Sequence, residues 1–124
     1  MPSTIIFFAE TTMDSLEKKI IEKIIYQFYD YFRKEEIDNE EYFTSILNIL
    51  KGVGQFCKSE NIDSTKIFEL KKHILDFSYE LFKQYWMETA KAEEKEDRNY
   101  KFIEEDEINE CKQLFFGWFN KRKT

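Results

Sequence analysis

Apolar residues recur along this chain every three or four positions for most of its length, the spacing of one helix face after another. The first such run predicts a helix over 14–36. Asp14 and Glu17 have the spacing of a capping box, and Leu16, Ile20, Ile21, Ile24, Ile25, Phe28, Tyr29, Tyr31 and Phe32 follow. At about 100° per residue these positions cover an arc of roughly 200°, whereas a helix facing one neighbour needs about half of that. This helix is therefore expected to touch two neighbours, or one neighbour and another chain.

A turn at Ile37-Asp38-Asn39 and a second capping-box spacing, Asp38 with Glu41, open a helix over 39–59. Its apolar side holds Tyr42, Phe43, Ile46, Leu47, Ile49, Leu50, Val53, Phe56 and Cys57. Gly52 and Gly54 interrupt it, at about 1 kcal/mol each relative to alanine, and mark either close helix packing or an early end. Residues 61–64 form the next turn. A third helix over 64–97 carries Ile67, Leu70, Ile74, Phe77, Leu81, Phe82, Tyr85 and Trp86 on one side. At about 50 Å it exceeds its partners, so its last turns are expected to project. The connector that follows offers Tyr100, Phe102 and Ile103 to pack back. A fourth helix over 105–121 turns Ile108, Cys111, Leu114, Phe115, Trp118 and Phe119 inward.

Four helices joined by short polar turns predict an all-α fold, an antiparallel four-helix bundle, in a single domain over 1–124. The apolar run at 4–9 is β-branched in character and has no strand partner. It is expected as a short extended N-terminal arm over 1–12, lying across the bundle or pairing with another chain.

Composition adds weight to the cores of these helices. Thirteen Phe, seven Tyr and two Trp stand against three Gly, one Pro and one His. Lysine outnumbers arginine sixteen to three and there are fourteen Ile, the bias of AT-rich codons. An AT-rich bacterium or its phage is the expected source, and coding bias supplies part of the aromatic excess. The formal charge of −6 argues against direct nucleic-acid binding, which needs clustered Lys and Arg. No apolar stretch approaches the roughly 20 residues of a membrane span, and the run at 5–9 lacks the basic start of a signal peptide. A cytoplasmic protein is expected, with Cys57 and Cys111 as reduced thiols.

Few residues offer chemistry. His73 stands with Glu69, Asp76 and Glu80 at helical spacing on a polar face. An imidazole among carboxylates is the raw material of a metal site or a general base. A bundle di-metal site, however, needs two Glu-x-x-His pairs aimed inward, so a solvated face with charge pairs is the expectation. The alternative is a metal-dependent enzyme or sensor at His73. Cys57 and Cys111 fall on inner faces and should pack as small hydrophobes. No phosphate-binding glycine loop, paired Cys-x-x-Cys or nucleophile elbow is present. No catalytic, cofactor or metal residue is therefore assigned.

Two features remain. Residues 91–110 hold nine acidic and four basic side chains, a solvated helix end or a docking surface for a basic partner in a larger nucleoprotein assembly. The first and fourth helices also carry more large apolar residues than one packed face needs. Ile21, Ile25, Tyr29, Phe32, Phe116, Trp118 and Phe119 are the candidate interface, since exposed aromatic patches mark partner surfaces. The expected function is a small non-catalytic protein–protein interaction protein of immunity, inhibitor or adaptor type, acting as a homodimer.

Overall fold

Two polar turns set the directions of the first three helices. The computed structural model describes the backbone of residues 2–122 and the side chains of residues 15–122. Its elements are α1 (Pro2–Arg33), α2 (Asn39–Ser59), α3 (Ser64–Glu96) and α4 (Glu104–Asn120). At the end of α1 the Glu36 N–H donates to the Tyr31 carbonyl at 2.9 Å and the Glu35 N–H to that of Phe32 at 3.0 Å. At the end of α2, Ile62 and Asn61 donate to Cys57 and Lys58 in the same way, at 2.9 and 3.1 Å. This double bond needs one left-handed residue, and Glu35 (φ 62°) and Asn61 (φ 55°) occupy that position. The Asp38–Glu41 capping box forms in full. The Glu41 N–H donates to Asp38 Oδ1 at 2.8 Å and the Asp38 N–H to Glu41 Oε1 at 3.2 Å.

Successive helices run antiparallel, so α1 and α3 lie parallel. Their register is read from Glu22 against His73, 51 residues apart, and from Phe32 against Phe82 and Tyr85. Among the described residues α1 and α4 do not meet; each packs on the α2–α3 pair from its own side. The core is mostly ring against ring. Phe43 lies edge-on to Phe82 at 5.0 Å and to Phe115 at 5.4 Å, the arrangement aromatic quadrupoles favour. Ser78 interrupts the Ile74–Phe82 row and is fully buried. Its hydroxyl donates to the Ile74 carbonyl at 2.7 Å, and its own carbonyl accepts from the Tyr42 hydroxyl at 2.9 Å.

Two expectations are corrected. The backbone of 2–12 is helical rather than an extended arm, and Asp14 sits inside α1 rather than at its cap. Pro2 takes the first helical position, where its missing N–H costs nothing, and no further Gly or Pro occurs before Gly52. The packing expected of side chains 4–9 lies outside the described residues. Nor do the last turns of α3 project. The connector folds back on them, with the Phe102 N–H donating to Glu94 Oε2 at 3.2 Å and Lys91 Nζ 5.5 Å above the Phe102 ring. Ala90 is buried beneath, while Ile103 stays exposed.

Candidate functional site

The structure divides the seven residues of the expected interface. Ile25, Tyr29, Phe32 and Phe119 belong to the core of a single chain. They pack against α2 and α3 and present no surface to a partner. Ile21, Phe116 and Trp118 are half-buried along its margin. The surplus on α1 is real but points elsewhere. Leu16, Ile20, Ile24 and Tyr31 are each 42–59% exposed and recur as one row along the helix, roughly a third of a turn from the buried side. The 200° arc has thus resolved into a packed half and an open half.

A second site lies at the end of the bundle where α1 turns into α2 and α3 into α4. Here Glu107 occupies the same row as Cys111, Phe115 and Phe119, four residues apart, and this row faces the core. Its side chain is consequently 9% exposed. The Trp86 indole N–H donates to Oε2 at 2.7 Å, and the Tyr100 hydroxyl donates to Oε1. That bond, together with burial and the charges of Glu107, Glu93 and Glu110, pushes the Tyr100 phenol up to about 12. In front of Glu107 opens a cavity of about 320 Å³, bordered by Phe32, Tyr85, Trp86, Tyr100, Glu93 and Glu110 among others. In the sequence Glu107 is one of the nine acidic residues of 91–110. Its place in an otherwise apolar row was the signal available.

The opposite end of the bundle carries a groove of about 680 Å³ between α2, α3 and the end of α4. Leu47, Leu50, Phe68, Leu75 and Phe116 form its apolar wall, and Lys51, Lys71, Lys72 and Arg122 its basic one. Phe68 is 68% exposed. The Arg122 guanidinium lies 3.6 Å from the centre of the Trp118 ring and donates to the Trp118 carbonyl at 3.0 Å.

His73 reaches across to α1 while its ring rests on its own helix. Its Nε2 is 3.0 Å from Glu22 Oε1, and its ring stacks on Phe77 at 6.2 Å. Of its expected companions, Glu80 pairs with Lys83 at 3.0 Å, Asp76 borders the basic groove and Glu69 is exposed. Among the described residues no group of three or more His, Cys, Asp or Glu is placed to hold a metal. Both cysteines are buried and free. Phe43 meets Phe115 across α2 and α4, which sets Cys57 and Cys111 about 27 Å apart along the helix axes, far beyond disulfide reach. Burial pushes the Cys111 thiol up to about 11. The Tyr79 hydroxyl and Trp118 Nε1 are buried without a hydrogen-bond partner, and burial raises the Tyr79 phenol to about 12.

No described helix is long and apolar enough to cross a membrane. No protein-family model, curated protein or solved structure matches the chain.

Proposed function

We propose that the protein is a non-catalytic binding protein, of immunity, inhibitor or adaptor type, that pairs with a second copy of itself through the open row of α1. The observation that carries this reading is the exposed line Leu16, Ile20, Ile24 and Tyr31. A single apolar row along one side of a helix, here at steps of four, four and seven residues, is the kind of seam that helix-on-helix pairing uses. A row that pairs with its own copy closes after two chains, so assembly stops at the dimer. Cytoplasm of an AT-rich bacterium, or its phage, is the proposed setting.

Sedimentation across a dilution series tests this. The expected result is a concentration-dependent dimer that Ile20→Glu with Ile24→Glu converts to a monomer of unchanged helicity. A wild-type chain that remains monomeric at about 100 μM, weaker than any stable interface of this kind, overturns it. A second reading, in which 91–110 docks a basic protein, draws support from the carboxylates gathered at Glu93, Glu107 and Glu110. It predicts a partner released by salt.

A further inference from the structure

Among the described residues no cationic side chain pairs with the buried carboxyl group of Glu107. Its two hydrogen-bond donors, the Trp86 indole and the Tyr100 hydroxyl, are both neutral. The cavity before it adds two more carboxylates, Glu93 and Glu110, and none of its lining residues is Lys or Arg. The start of α4 supplies about half a unit of positive charge, but Glu104, Glu105 and Asp106 share that turn. Buried carboxylates are ordinarily paired with a cation. This one is met on its protein side by two ring-borne donors alone.

Rings make up most of the remaining wall, together with Asn39, Thr89 and Ala90. Trp86 and Tyr100 spend their hydrogen-bond donors on Glu107, and Phe32, Phe82 and Tyr85 are the other rings. Ring faces attract cations and attract them most when water is excluded. A volume of about 320 Å³ lies within the range of small-molecule sites. A hard metal ion fits poorly. Magnesium demands about six oxygen ligands and dehydrates reluctantly, whereas both oxygens of Glu107 already accept hydrogen bonds and, among the described residues, Glu93, Glu107 and Glu110 form no group placed to hold a metal.

We propose that this cavity is a binding site for an alkylammonium cation, whose charge neutralises Glu107 and whose methylene chain lies against the rings. The cation comes either from a free amine or from the lysine side chain of another protein. The site does not depend on dimerisation through α1, which lines no part of the cavity beyond Phe32.

Calorimetric titration of the full chain tests it, with 1,4-diaminobutane, Nα-acetyl-lysine amide, 1,4-butanediol and magnesium chloride as probes in physiological salt. The expected result is one-to-one binding of at least one of the two ammonium compounds, none of the diol, and a melting temperature that rises with the bound amine. Tighter binding of the diamine points to a free amine as the source, and tighter binding of the lysine amide to a protein side chain. Glu107→Gln keeps an acceptor for one donor and should weaken binding about tenfold or more. Glu93→Gln with Glu110→Gln, on the exposed rim, should weaken it less and covers the case in which the Glu107 variant fails to fold. Two results overturn the proposal: neither ammonium compound binds at millimolar concentration, or binding occurs that magnesium competes away equally and both sets of variants leave unchanged.

Discussion

The two ends of the bundle use the same residue types with the charge reversed. At the α1–α2 end, carboxylate meets ring: Glu107 accepts from the N–H of Trp86 and the O–H of Tyr100. At the other end, guanidinium meets ring: Arg122 lies on the face of Trp118. A carboxylate takes the N–H or O–H donor that a Trp or Tyr ring carries, and a cation takes the ring's electronegative face. The donor arrangement buries its charge and consumes the ring's polar atom. The face arrangement leaves the charge in water and the polar atom unused, and Trp118 Nε1 is indeed without a partner. An aromatic-rich chain therefore acquires one end that holds charge inside and one that spreads it over the surface.

Breaking the acidic end should cost most. Glu107→Ala strands two donors, so a loss of about 1–3 kcal/mol is expected by urea denaturation. Arg122→Ala, which removes an exposed group, should cost under about 1 kcal/mol. Equal losses would erase the distinction between the two ends. In the core between them, Tyr42→Phe forfeits the bond to the Ser78 carbonyl, worth about 1 kcal/mol. Tyr79→Phe removes a hydroxyl that has no partner and should be neutral or stabilising in the same assay.

Alkali should act on the acidic end and on the core, where burial also raises the phenols of Tyr42 and Tyr29. The neutral forms of Cys111, Tyr79 and Tyr100 are favoured in the fold, with values raised to about 11, 12 and 12. Their contribution is complete below the unfolded values, 9.0 for the thiol and 10.0 for the phenols, and is lost as pH climbs through the folded ones. Thermal melts from pH 8 to pH 12 should show stability level at first and falling from about pH 9 upward, and Cys111→Ala should flatten the lower part of that fall. The smallest effect belongs to the basic end. Gly52→Ala meets nothing within 4 Å and should gain about 0.5–1 kcal/mol of helix propensity. Gly54→Ala must displace Lys71 Nζ, 3.0 Å from the new methyl group, and should gain less.

Local signals were legible apart from the Asp14–Glu17 spacing, which lies inside α1, and lateral ones were not. The Asp38–Glu41 box formed as its spacing implied, and α2, α3 and α4 begin and end within a residue or two of their expected limits, because caps and turns are decided by neighbours in sequence. Periodicity also disclosed that α1 carries an excess apolar arc. It does not say which half of that arc α2 and α3 cover, so Ile25, Tyr29 and Phe32 stand in the expected interface, whereas Leu16, Ile20 and Ile24 hold the surface. The Glu107 cavity depends on the antiparallel register of α3 and α4, which brings Trp86 to Glu107 across 21 residues. Register of that kind depends on how whole faces interlock, and no short stretch of sequence encodes it.

Because α1 and α4 do not meet among the described residues, α2 and α3 alone are gripped from both sides. An outer helix can open while the other stays docked, and such local opening needs less free energy than global unfolding. Native-state hydrogen exchange should then show the α2 and α3 amides exchanging latest, with Ile25→Ala speeding exchange in α1 more than in α4. The open row belongs to one of these outer helices, so a second copy seated on α1 would also hold it closed.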